Sequence, residues 1–86
     1  RAALHGSLAW CLEKQGLNGG AIEEYAEAVR LEPSRSALLK PYAELLFRLD
    51  RKKDALEIYR RAAALNPGDR EIRRKVVELV LSGGNR

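Results

Sequence analysis

A chain of 86 residues makes one small domain with a thin core, because at this size about a third of the unfolded surface stays exposed after folding. Hydrophobic residues at 45%, charged residues at 33%, three prolines and an excess of Ala, Leu, Glu, Arg and Lys describe a folded helical chain and not a disordered one. A single cysteine excludes an internal disulfide, no apolar run approaches the roughly 20 residues of a membrane span, and a net charge of +4 mildly favours acidic partners.

In Ala2–Lys14, the residues Leu4, Leu8, Cys11 and Leu12 recur at three- and four-residue spacing and mark one face of a helix. The stretch QGLNGG at 15–20 interrupts it, since three glycines and an asparagine favour a turn and supply a left-handed helix ending. Residues 21–31 resume the helical period with Ile22, Tyr25, Ala28, Val29 and Leu31 inward. Pro33 closes that segment, because the residue before a proline is driven out of helical geometry. Ser34 or Ser36 is placed to cap a third helix, whose apolar set is Leu38, Leu39, Tyr42, Leu45, Leu46 and Leu49. Pro41 lacks an N–H and cannot bond the carbonyl four residues back, so this helix is expected to start late or to bend in its first turn. Residues 50–54 form a tight connection, and 55–65 form a fourth helix followed by Pro67. Asp69 is a candidate cap for a fifth helix from Arg70 to about Leu81. There Ile72, Val76, Val77, Leu79 and Val80 are expected inward, and Gly83 and Gly84 end the helix.

Shifting the sequence by 34 residues superposes Leu4, Leu38 and Ile72; Leu8, Tyr42 and Val76; Ala9, Ala43 and Val77; Cys11, Leu45 and Leu79; and Leu12, Leu46 and Val80. The second helices match as well, Ala21 with Ala55, Ile22 with Leu56, Tyr25 with Tyr59, Ala28 with Ala62, Leu31 with Leu65 and Pro33 with Pro67. The fifth helix is therefore the first half of a third unit. Antiparallel helices approach closely only where side chains are small, so Ala9, Ala21 and Ala28 mark the contact within the first hairpin, and Ala43, Ala55 and Ala62 repeat it. Tyr25 and Tyr59 are large enough to fill the space toward the next hairpin. Val77 departs from the small-residue rule, in a unit that has no second helix for it to crowd.

These alanines, aromatic residues and closing prolines, in that order, resemble the tetratricopeptide repeat, a 34-residue helix-turn-helix unit that stacks into a right-handed superhelix. The likeness spans about the whole chain and implies an all-α solenoid of about five helices. It divides a single domain over 1–86 into a first repeat at about 2–35, a second at about 36–69 and a closing helix at about 70–82. The chain, which opens at Arg1 without a methionine or a leader, is read as a piece of a longer array. The family's tryptophan position holds His5 and Leu39 here, and the aromatic of its inter-helix turn is replaced by Asn18 and Lys52. The resemblance implies a non-catalytic scaffold for protein–protein interaction that takes a peptide or partner segment in a concave groove. The first helix of each repeat would line that groove, with Ala3, Gly6, Ser7, Trp10, Glu13 and Lys14, then Ala37, Lys40, Pro41, Glu44, Phe47 and Arg48, then Glu71, Arg74, Lys75 and Glu78. Of these, Trp10, Lys14, Lys40, Glu44, Phe47, Arg48, Arg74 and Lys75 are the expected partner-binding residues. Helix geometry by itself turns Trp10 away from the stripe of Leu4, Leu8 and Leu12.

Trp10 with Phe47 would make an aromatic anchor, since large rings desolvate well and dominate binding energy. Packing of Trp10 against a further repeat is the competing reading. Lys40, Arg48, Arg74 and Lys75 are candidates for a carboxylate or phosphate. A subclass of the family clamps the acidic carboxyl-terminal tails of heat-shock chaperones, and Lys40 matches one clamp position. Glu44 stands where that clamp has an asparagine and would repel the ligand's carboxylate. Catalysis needs convergent groups, whereas His5 and Cys11 lie on different faces of one helix, Cys11 reads as an inert core residue, and two such ligands are too few for zinc. No cofactor or metal is expected, and the glycines of QGLNGG follow no strand, so they form a turn and not a phosphate cradle. Nucleic-acid binding would use Arg48, Arg51, Lys52, Lys53, Arg60, Arg61, Arg70, Arg73, Arg74 and Lys75, but no aromatic residues interleave them and Asp50, Asp54, Glu57 and Glu71 interrupt the field. Apolar solenoid ends are expected to favour self-association. Regulation of an attached enzyme is a further open reading, and the compartment is open as well.

Overall fold

The computed structural model describes residues 1–83, which form five helices and no strand: α1 (Ala2–Lys14), α2 (Asn18–Leu31), α3 (Ser36–Arg48), α4 (Lys52–Leu65) and α5 (Arg70–Leu81). α1 pairs with α2 and α3 with α4, while α2 also packs on α3 and α4 on α5, giving a helical-repeat solenoid. The small residues do what the repeat predicts. Ala9, Ala21, Ala28, Ala43, Ala55 and Ala62 are all fully buried, which lets the paired backbones approach. Tyr25 and Tyr59 are buried too. The Tyr25 ring stacks on Tyr42 of the next hairpin, with centroids 5.7 Å apart and planes 23° from parallel. Tyr59 joins Ile72 and Leu79 of α5 in the larger core cluster, and partly buried Ile22 and Tyr42 connect that cluster to a smaller one around Ala9, Ala21, Tyr25 and Leu45.

Both inter-helix turns are tighter than the apolar period suggests, and α2 and α4 begin earlier than expected, at Asn18 and Lys52. Each turn needs only one left-handed residue, Gly16 at φ +80° and Asp50 at φ +63°. Leu17 N–H donates to the Leu12 carbonyl at 2.9 Å and Gly16 N–H to Glu13 at 3.0 Å. Arg51 to Leu46 at 2.9 Å and Asp50 to Phe47 at 3.0 Å repeat the pattern, a paired closure of the last helical carbonyls. Gly19 and Gly20 therefore lie in the first turn of α2 and not in the connection. Lys14, Arg30 and Arg48 sit in the last turns of α1, α2 and α3, where cations oppose the helix dipole.

α3 starts at Ser36 and runs through Pro41, so the late start does not occur. Only one hydrogen bond is removed, at the carbonyl of Ala37, and that residue is exposed, so its carbonyl is open to water. Neither Ser34 nor Ser36 caps the helix; Arg35 is the cap residue, without a side-chain bond, and its carbonyl accepts from Leu38 N–H at 3.0 Å. The Asp69 cap does form, its Oδ1 accepting from Ile72 N–H at 3.2 Å. Gly83, at φ +88°, follows α5, and Gly84 lies outside the described residues.

Several residues expected inward face solvent. On α1, Leu4 is 67% exposed, and Leu8 and Cys11 are open with it. On α5, Val77 is 57% exposed and Val80 is open. Leu31 and Leu65, at the last positions of α2 and α4, are also exposed. Their repeat partners explain the α1 and α5 cases. Leu38 and Leu45 are buried because α3 has α2 beside it, and Ala43 and Leu46 because α4 covers them. Among the described residues, α1 has no helix on that side and α5 has no second helix of its own unit.

An added Cβ at Gly16 meets nothing within 4 Å, so Gly16→Ala tests the backbone alone. It should lower the unfolding free energy by about 1 kcal/mol, and Asp50→Gly should raise it by a similar amount, as read by chemical denaturation.

Candidate functional site

The exposed side shared by α1 and α3 carries a groove of about 410 Å³. Ala3, Gly6, Ser7, Trp10 and Cys11 line it from α1, and Ala37, Leu38 and Pro41 from α3, together with Arg35 and the buried Tyr25. Gly6 creates part of its shape, because a Cβ there would stand 2.6 Å from Leu38 Cδ2. Leu38 therefore reaches across to the α1 backbone, and the space above it stays open next to Trp10. The indole is 55% exposed, and Lys14 Nζ lies 5.2 Å from its ring centre. An exposed cation over a ring contributes about 0.5–1 kcal/mol and leaves the other ring face available.

The remaining expected site residues are held in other ways. Lys40 Nζ is 2.5 Å from Glu71 Oε1 and 3.9 Å from Asp69 Oδ2, tying α3 to the start of α5, and its hydrogen bond to Glu71 raises its pKa above the usual lysine value. Arg48 reaches back from α3 to α1, 3.0 Å from Glu13 Oε2, and Glu13 also accepts from the Tyr25 hydroxyl at 3.3 Å. Phe47 is half-buried against the larger core cluster, with Lys75 Nζ 4.5 Å above its ring and Glu78 3.7 Å from that same ammonium. Phe47 does not line the Trp10 groove, so the two rings do not share one anchor. Glu44 is exposed on α3. Arg74 lines a separate cleft of about 280 Å³ with Arg70, Arg73 and Val77.

Cys11, Tyr25, Arg35 and Leu38 line the groove without being expected there from the sequence. Cys11 shares the apolar stripe of α1, which predicts a core position, but among the described residues no neighbour covers that side and it is exposed. Arg35 carried a weak signal, since it follows Pro33 in the turn that leads directly into α3. His5 is half-buried, its Nδ1 2.6 Å from Glu24 Oε1 in a hydrogen bond across the first hairpin. Among the described residues no group of His, Cys, Asp or Glu is gathered to hold a metal, and no helix is long and apolar enough to cross a membrane. Several basic residues outside the groove are matched by near neighbours, Arg30 with Glu27, Arg51 with Asp54, Lys52 with Asp50 and Arg61 with Glu57, and Arg35 at the groove pairs with Glu32.

A tetratricopeptide repeat model matches residues 2–35, and a second tetratricopeptide repeat model matches residues 36–79. The chain belongs to the tetratricopeptide repeat family. The matches run through all five helices, and repeats of this family are generally protein–protein interaction modules, typically non-catalytic. No curated protein matches the chain.

In this tetratricopeptide domain the groove's floor has a measurable electrostatic signature. Burial, reinforced by Glu13, pushes the Tyr25 phenol up from 10.0 to about 12. Burial also pushes Tyr59 up to about 12, with Glu44, Glu71 and Glu78 adding to it, and raises Tyr42. A folded value above the unfolded one means that this stability is complete below about pH 10 and is lost as pH rises through about 12. Titration of the phenolate absorbance should give midpoints above 10 for the native protein, with unfolding setting in at the alkaline end. Tyr25→Phe should weaken that alkaline dependence. A single ordinary tyrosine midpoint with the helices intact would contradict the assignment.

Proposed function

We propose that the chain is a single interaction domain, two repeats at about 2–35 and 36–69 with a closing helix to about 82, that binds an extended peptide through the groove between α1 and α3. One observation carries the reading: a largely exposed tryptophan beside a groove bordered by Ala3, Gly6, Ala37, Leu38 and Pro41, close to backbone left bare by Gly6. The occupant is a peptide with an apolar or aromatic side chain that seats against Trp10. Lys40 and Arg48 stabilise the stacking of α1, α3 and α5 more than they recruit an anion, since each is already paired with a carboxylate of a neighbouring unit. A chaperone-tail clamp is disfavoured on the same ground, with Glu44 adding like charge. The interleaved ion pairs argue equally against a phosphate backbone as ligand.

Peptides selected on the chain from a random display library should share an apolar anchor. Trp10→Ala should weaken them about 30-fold in isothermal titration, the loss typical of a tryptophan hot spot of about 2 kcal/mol. Circular dichroism and melting should stay near those of the parent chain. Selected peptides that lack an apolar anchor, or that bind Trp10→Ala as well as the parent, would remove the basis of the reading.

A second reading, self-association, is favoured by Leu4 and Leu8, which form an apolar ridge on the outer side of α1. Sedimentation over a concentration series should show a larger species that Leu4→Lys abolishes, and a strict monomer at high concentration would refute it.

A further inference from the structure

Resting on the reading of the Trp10 groove as a peptide site, we propose that Gly6 and Leu38 are its specificity-determining pair and shape it to seat one planar aromatic side chain. Local preference does not explain a glycine at position 6. The residue lies inside α1 at a helical φ, where alanine is the better helix former. What calls for glycine is space. A Cβ there would stand 2.6 Å from Leu38 Cδ2, well inside the separation at which two carbons repel. Leu38 is 8% exposed and belongs to the larger core cluster, so most of its side chain is fixed by packing. Its Cδ2 takes the room that a side chain on residue 6 would need, and both residues line the groove.

The next junction along the solenoid shows the alternative. A shift of 34 residues puts Lys40 at the position of Gly6 and Ile72 at that of Leu38. Ile72 is buried, and Lys40 reaches from α3 to α5, its Nζ 2.5 Å from Glu71 and 3.9 Å from Asp69. A side chain therefore bridges the α3–α5 junction where glycine leaves the α1–α3 junction open. Nor does the opening depend on an uncovered helix. Glu44 occupies on α3 the position of Trp10 on α1 and is exposed, although Arg48 ties α3 to α1 on one side and Lys40 ties it to α5 on the other. This side of a first helix stays open with a unit on each side of it.

Ala3, Ala37 and Pro41 stand around Gly6 and Leu38 and reach little into the groove, and the exposed indole of Trp10 lies beside them. Low walls, an apolar floor and an aromatic neighbour suit a flat ring, which gains offset or edge-to-face contact with the indole. A methyl group on residue 6 would drive Leu38 Cδ2 away from α1. With the rest of Leu38 held in the core, that carbon moves into the groove and makes the seat shallower.

The test takes the tightest peptide selected on the parent chain from a random display library, resynthesised with phenylalanine, leucine or alanine at its anchor position. Isothermal titration of the parent should rank phenylalanine above leucine above alanine. Gly6→Ala should weaken the phenylalanine peptide at least about tenfold and the alanine peptide less than about twofold, with helicity retained. Leu38→Val shortens the side chain, so adding it to Gly6→Ala should recover most of the loss. A leucine or alanine anchor bound as tightly as phenylalanine by the parent, an equal loss for all three peptides in Gly6→Ala, or no recovery in the double variant overturns the proposal. Binding that Trp10→Ala weakens but Gly6→Ala leaves unchanged overturns it while the groove reading stands. Peptides that bind Trp10→Ala as well as the parent overturn both.

Discussion

Within each hairpin, the helices can close only because alanine occupies the facing positions, and every larger feature is arranged around that closeness. Ala9 and Ala21 share the smaller core cluster, while Ala43, Ala55 and Ala62 belong to the larger one. With so little side chain between the paired backbones, the bulk that a small domain needs for a core has to come from elsewhere. It comes from the tyrosines. Tyr25 and Tyr59 project past the alanines toward the next unit, so contact within a hairpin and contact between hairpins are made by different residues of the same helix. Dispersion and burial at those rings favour stacking over independent hairpins.

The groove follows from the same stacking. Tyr25 on Tyr42 fixes the second hairpin against the first. Leu38 lies against bare Gly6, and Pro41 and Ala37 then stand opposite Trp10. Exposed ion pairs such as Lys40 with Glu71 and Arg48 with Glu13 add little energy each, roughly 0–1 kcal/mol. Their larger effect is on specificity, because they occupy the cations that a carboxylate ligand would need.

Periodicity reports which residues share a face, and the repeat shift reports which faces are equivalent, so helix order, hairpin pairing and the alanine contacts were legible from residue types alone. The starts of α1 at Ala2 and α5 at Arg70 agree with the sequence reading, the second because Asp69 is a local capping signal. Neither signal says whether a neighbour is present to cover a face. Leu4, Leu8 and Cys11 have the same spacing as Leu38, Tyr42 and Leu45, yet burial belongs to the contact and not to the pattern. The turns were misjudged for a related reason. A stretch holding three glycines, 16, 19 and 20, looks like a long connection, although one left-handed residue suffices, as Asp50 shows in a turn with no glycine at all. Pro41 departs in the opposite direction, since the one carbonyl it leaves without a donor, on Ala37, is exposed to water and the helix runs through. For the site, Trp10 was visible as an apolar residue off the apolar stripe. Its separation from Phe47 was not, because it depends on how far each ring turns toward the core.

The two open surfaces differ in electrostatics for a structural reason. Consecutive units bring an acidic residue of one helix beside a basic residue of another, as Glu13 of α1 meets Arg48 of α3 and Lys40 of α3 meets Glu71 of α5. That pairing requires a following unit. Arg70, Arg73 and Arg74 lie on the last described helix, and among the described residues no carboxylate stands within 4.0 Å of them. Exposed charge of one sign beside exposed valine and leucine is costly to desolvate against an apolar partner alone and gains little from a purely ionic one.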